Sequence, residues 1–178
     1  MCSKRDLHRV PQQHGAIVMG PISLVRWQID YIGPLPISEE YQYAISCVDM
    51  TTRLLVAFPE HCAYQHTTKR GLELLVAANS RMEVIERDQG THFSGYALQE
   101  WVQQLGIKWK FHVPYNPTRA GMIERYNSSL KSGLKSDTNT LQGWSVRLWT
   151  ALRHLNERPR KGALSPMEML THIAVSPI

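Results

Sequence analysis

Trp27-Gln28-Ile29-Asp30-Tyr31-Ile32-Gly33-Pro34-Leu35-Pro36 is an apolar run that carries one carboxylate and is closed by glycine and prolines. Branched and aromatic side chains from Val25 to Ile32 favour an extended strand. Gly33-Pro34 and Pro36 end it, since proline has no N–H for a sheet ladder. Two further strand-like runs follow, Tyr43 to Asp49 and Leu54 to Phe58, joined by a turn near Met50-Thr51-Thr52-Arg53. Connections this short predict an antiparallel meander.

Helical spacing takes over downstream. His66 to Asn79 places Leu72, Leu75 and Val76 on one face, with Thr67 and Thr68 as cap candidates. Met82 to Arg87 reads as a short buried strand ending at Asp88. Ser94 is expected to cap a helix whose Leu98, Trp101, Val102 and Leu105 share a face before Gly106 ends it. Lys108 to Val113 alternates, with Trp109, Phe111 and Val113 expected inward. A Pro, Asn and Gly-rich loop over 114–121 leads to a helix from Gly121 to Lys135 that buries Ile123, Tyr126, Leu130 and Leu134. Leu141 to Asn156 forms another helix on Leu148, Leu152 and Leu155, and Ser165-Pro166 opens a last one through Leu170. Strands first and crossover helices afterwards describe an α/β mixed sheet covered by helices. Residues 1–21 show no periodicity and read as a flexible arm, 22–172 as one core and 173–178 as a tail.

Bulk properties agree with one domain. The 178 residues are 43% hydrophobic, and 20 Lys and Arg against 15 Asp and Glu give +5 and a pI near 9.2, a bias that suits a polyanion. Cys2, Cys47 and Cys62 are odd in number and lack metal-ligand spacing, which argues against a disulfide framework and for a reducing compartment. The N-terminus is charged where a signal peptide needs an apolar run, and no stretch approaches the roughly 18 apolar residues of a membrane helix. Neither secretion nor membrane insertion is expected.

Three acids stand in distinctive surroundings: Asp30, Asp88 in Asp88-Gln89-Gly90-Thr91-His92-Phe93, and Glu124 in Gly121-Met122-Ile123-Glu124-Arg125-Tyr126-Asn127, 35 residues beyond Asp88. Carboxylates converging from separate segments can hold two divalent ions, and two such ions catalyse in-line displacement at phosphodiesters. Other acids compete poorly: Asp49 precedes a tight turn, and Glu83 and Glu86 flank a buried strand. His92 suits a loop-to-helix junction better than a metal, and His61-Cys62 has no partner cluster. On the helix of Glu124, Lys131 and Lys135 share the face of that acid at 100° per residue, where phosphate entering the site would meet them.

At these motifs, with Pro114-Tyr115-Asn116-Pro117 before the third, the chain resembles the catalytic core of retroviral integrases, polynucleotidyl transferases that also include many transposases, over residues 22 to 170. The resemblance implies a ribonuclease H-like α/β fold, a five-stranded mixed sheet flanked by helices. It implies Asp30, Asp88 and Glu124 as catalytic and metal-binding residues, two Mg²⁺ ions that Mn²⁺ can replace, and a homodimer or higher oligomer acting on element ends and target DNA in the nucleus, or in a virion or cytoplasm before nuclear entry. Tyr115, Asn116, Arg119, Asn127, Lys131 and Lys135 are the implied DNA-facing residues. Arg119-Ala120 stands where several relatives have Ser-Gln, and Ser128 where some have a further lysine. Integrases usually carry a His-His-Cys-Cys zinc module before the core; only Cys2 is in place for it, so no structural zinc is expected. Two rivals share these features: a domesticated, catalytically unused binding module, and a ribonuclease H-type nuclease. Trp144 and Trp149 are candidates for a dimer contact, with at least one expected in the helix core.

Overall fold

The computed structural model describes residues 23–79, 81–111 and 117–175, with backbone alone at 117–120 and 173–175. Three strands come first: β1 (Arg26–Ile32), β2 (Tyr43–Asp49) and β3 (Leu55–Glu60). Helix α1 (Gln65–Ala78), β4 (Val84–Arg87), α2 (Tyr96–Gln104) and β5 (Lys108–Phe111) alternate next, followed by α3 (Pro117–Gly133), α4 (Trp144–Glu157) and α5 (Pro166–Val175). The sheet order is β3-β2-β1-β4-β5. β1, β2 and β3 pair antiparallel, as the expected meander requires, while β4 joins β1 and β5 joins β4 in parallel. Parallel neighbours need a crossover, and α1 and α2 supply it.

β1 is central and covered on both faces, which explains why its sequence is apolar without clean alternation. Trp27 and Ile29 pack with Ile45, Ile85, Leu72, Leu98 and Val102 under α1 and α2. Ile32 packs on the opposite face with Val48, Leu130, Leu148 and Trp144 under α3 and α4. By pleat alternation Gln28 and Asp30 share the α3 face with Ile32. A carboxylate in the middle of a doubly covered strand costs free energy, so its neighbours decide its role.

Side chains tie the helices to this sheet. Trp144 is fully buried and its Nε1 donates to Pro36 O at 2.8 Å, fixing α4 beneath the chain that leaves β1. Asn156, near the end of α4, accepts from Leu55 N at 2.9 Å and donates to Leu55 O at 2.8 Å, occupying both peptide groups of that residue on the edge strand β3. Gly33, at φ +142°, lies so close to the Tyr43 ring and Gln42 O that a Cβ would sit 2.6 and 2.7 Å from them.

Several local expectations are corrected. Thr67 and Thr68 lie inside α1, and Tyr64 is its N-cap; Thr67 Oγ1 reaches back to accept from Tyr64 N at 3.1 Å. Gly95, not Ser94, precedes α2, because the Ser94 hydroxyl donates to Thr91 O and closes a 3-10 turn over Thr91–Phe93. Leu105 is the C-cap of α2 and is exposed. Phe111 is 52% exposed and not inward, since β5 is a sheet edge and the Arg87 guanidinium lies over the Phe111 ring at 4.2 Å. α3 starts at Pro117, four residues early, with a proline whose fixed φ suits a first helical turn. α5 runs on to Val175 behind a reciprocal cap, Ser165 N to Glu168 Oε2 at 2.7 Å and Glu168 N to Ser165 Oγ at 3.2 Å.

Candidate active site

The sheet register brings the first two acids together. Gln28 stands opposite Glu86 in the parallel β1–β4 ladder and donates to it at 3.3 Å. Extending that register by two residues on each chain would set Asp30 and Asp88 on one face of neighbouring strands, with Asp88 just past the end of β4. Asp30 is half-buried: Tyr31 N donates to its Oδ1 at 2.7 Å, and Asn127 Nδ2 of α3 donates to its Oδ2 at 2.8 Å. Asn127 lies three residues after Glu124, so the helix turn that anchors on Asp30 also carries the third acid to the site.

Burial pushes the Asp30 carboxyl up to about 6, and the negative charges of Asp88 and Glu124 push the same way against the hydrogen bonds from Tyr31 N and Asn127. The charges of Asp88 and Glu124 therefore both reach Asp30. Asp88 is exposed just past β4, and its Oδ1 accepts from Gly90 N at 2.8 Å; Glu124 is exposed on α3. Among the described residues no three His, Cys, Asp or Glu side chains already stand together as a ligand set. The donor chemistry nevertheless suits a divalent cation: hard carboxylate oxygens, a proton affinity raised first by burial and then by the neighbouring acids, and a buried Asn127 Oδ1 without a protein partner among the described residues.

Lys131 is exposed on α3, one of the two lysines expected beside Glu124. Lys135 is exposed too, but lies past the last helical residue, Gly133, in a turn where its N–H bonds Ser132 O, so the regular helical face does not extend to it. The side chain of Arg119 and all of Tyr115 and Asn116 lie outside the described residues, as does Cys2. Asp49 is structural, fully buried and holding the β2–β3 turn. His61 packs on Tyr41 with ring centroids 4.8 Å apart, as a strand-end residue.

Sequence reasoning missed two neighbours of the acids. Arg87 is buried, cradled between the Trp109 and Phe111 rings at 5.1 and 4.2 Å, and its Nη1 donates to Asp88 O at 2.9 Å. The available signal was an arginine at the end of an apolar strand with aromatics two apart on the next. Tyr31 is the other. Its hydroxyl lies 3.2 and 3.1 Å from the Thr67 and Thr68 hydroxyls.

Residues 21–117, more than half of the chain, match the integrase core domain family. The chain belongs to that family. The match covers Asp30 and Asp88 and ends before Glu124. The integrase core is 31% identical over 165 residues to the Pol polyprotein of feline endogenous virus ECE1, covering 91% of this chain and 16% of the polyprotein. It is 28% identical over 173 residues to the Pol polyprotein of radiation murine leukemia virus (strain Kaplan), covering 96% of this chain and 30% of that protein. With the Pro-Pol polyprotein of simian foamy virus type 3 (strain LK3) identity is 35% over 103 residues, 58% of this chain and 9% of that one. The chain thus spans less than a third of these relatives.

Solved structures agree on the fold. The catalytic core domain of BIV integrase superposes with a TM-score of 0.69 at 22% identity, over 83% of this chain and 93% of that one. The simian T-cell lymphotropic virus intasome in complex with the PP2A regulatory subunit B56 gamma gives 0.69 at 22% identity, over 86% and 56%. The five-stranded mixed sheet with its helices is therefore the ribonuclease H-like fold of retroviral integrase cores. Integrase cores are in general polynucleotidyl transferases of DNA integration that depend on divalent metal.

Proposed function

We propose that this integrase core cuts near the 3′ end of viral or element DNA and joins the freed 3′-hydroxyl to target DNA, with Asp30, Asp88 and Glu124 holding two Mg²⁺ ions. The observation that carries this reading is the Asp30 site, where a mid-strand carboxylate is loaded with the charge of two further acids delivered by a neighbouring strand and a helix. Bound there, divalent cations would activate a nucleophilic oxygen and stabilise the departing one. The chain's own residues do the positioning. Asn127 and the Tyr31 N–H orient Asp30, the Gly90 N–H orients Asp88, and α3 presents Glu124 with Lys131 two turns on, where a phosphate backbone would meet it.

The partners proposed are element-end and target DNA and further copies of the chain. The intasome among the structural relatives supports both, and Trp149 is 58% exposed on α4 while Trp144 is fully buried, which leaves Trp149 as the dimer-contact candidate. A nuclear location is proposed with them. A second reading, an integrase-derived binding module that does no chemistry, draws on the absence of a ready-made ligand set among the described residues.

Incubation of purified protein with branched DNA and Mg²⁺ or Mn²⁺ separates the two, beside Asp88→Asn and Glu124→Gln. Metal-dependent cleavage or joining by wild type and none by the variants is the expected result. Equal results for all three proteins would leave only the binding role.

A further inference from the structure

The two aspartates belong to separate strands, and Asp88 lies beyond the end of its ladder, so something else must hold the loop that carries it. Tyr31, the residue after Asp30, points to the opposite face of the sheet. Its ring meets His92 edge-on at 4.8 Å and Phe93 at 5.8 Å, in the 3-10 turn four and five residues after Asp88. The His92 ring in turn presses on the loop backbone: a Cβ on Gly90 would lie 2.5 Å from that ring and 3.0 Å from Asp88 Oδ1. Ring, loop and carboxylate form one packed stack.

The Tyr31 hydroxyl completes the bracket. It lies 3.1 Å from Thr68 Oγ1, which is itself 3.1 Å from His92 O and 3.0 Å from Tyr64 O. One hydroxyl has one proton to give. With Tyr31 donating to Thr68, the fully buried Thr68 keeps its proton for a carbonyl, and His92 O is one of the two in reach. A ring contact and a hydroxyl relay thus both run from the residue beside Asp30 to the loop of Asp88.

We propose that Tyr31 is a positioning residue that sets the distance between Asp30 and Asp88 through His92 and Thr68. The inference rests on the metal-binding role proposed for the carboxylates. Partners in an outer shell tune metal affinity by roughly 10- to 100-fold when lost, which gives the scale of the expected effect.

The test is Mn²⁺ affinity, read by water-proton relaxation, alongside thermal unfolding, for Tyr31→Phe, Thr68→Val, Thr68→Ser and the double variant Tyr31→Phe/Thr68→Val. Tyr31→Phe and Thr68→Val are each expected to weaken Mn²⁺ binding about ten-fold, Thr68→Ser to bind like wild type, and the double variant to lose no more than either single change, because both cut the same link. Wild-type Mn²⁺ affinity in folded Tyr31→Phe and Thr68→Val would overturn the proposal, whatever their unfolding temperatures; so would equal weakening in Thr68→Ser. Asp30→Asn separates the two levels. If it loses Mn²⁺ binding while Tyr31→Phe and Thr68→Val do not, the bracket alone falls; if it also binds as wild type, the metal reading falls and takes the bracket with it.

Discussion

Asp30 and Asp49 are both aspartates of the antiparallel meander, on neighbouring strands and drawn from the solvent, yet their surroundings differ in kind. Asp49 is fully buried and saturated with donors: Thr52 N at 2.8 Å, the Thr52 hydroxyl at 2.7 Å and Leu24 N at 3.1 Å. Asp30 has two donors and two acids for neighbours. A buried carboxylate ringed by N–H and O–H groups closes a turn. One that is half-buried with two further acids near it has its charged form disfavoured by burial first and by their charge next, and a bound cation would relieve both.

The contrast breaks most visibly in catalysis. Asp30→Asn or Asp88→Asn is expected to lower DNA cleavage in Mg²⁺ by at least roughly a thousand-fold, since a metal ligand is worth several kcal/mol of transition-state charge stabilisation. The circular dichroism spectrum should stay native. Asp49→Ala should do the reverse: it strands two N–H groups and a hydroxyl in the interior, costing about 3 kcal/mol by urea unfolding.

A subtler effect sharpens the comparison. The native state holds the Asp30 proton more tightly than an unfolded chain does, because its carboxyl is raised to about 6 from 3.8. That contribution to stability is present below about pH 4 and is lost as pH rises through about 6. Metal-free Asp30→Asn escapes the loss and should be more stable than wild type by roughly 2 kcal/mol at pH 7 to 8, a gain that disappears near pH 4. A variant no more stable at pH 8 than at pH 4, relative to wild type, would show that Asp30 is satisfied as Asp49 is. The smallest change belongs to Lys131→Ala, expected to weaken DNA binding a few-fold irrespective of sequence and to reduce the salt slope by about one.

The meander, the crossover helices and the two-faced core were legible because each rests on local signals: apolar runs closed by glycine and proline, and leucines at helical spacing. What escaped depends on partners distant in the chain. Phe111 reads as inward by alternation, but only the position of β5 at the sheet edge and the demand of Arg87 for an aromatic cradle decide its exposure. Ser94 has cap chemistry, and the Thr91 carbonyl claims it instead. The three acids stand out as a candidate set from the words around them, and Asn127 is found bonded to the first of them. Tyr31 was not, since its partners Thr68 and His92 lie 37 and 61 residues away and carry no motif.

The Asn156 amide has a consequence beyond holding α4 in place. By answering both peptide groups of Leu55 it imitates one residue of an additional strand and takes that end of β3 out of reach of a foreign chain seeking to zip alongside. The opposite margin, four-residue β5, is guarded by Lys108 and Lys110, cations that disfavour stacking of like edges. Leu55 on one margin and the lysines on the other thus set obstacles to runaway sheet growth, the usual hazard of an open β-architecture.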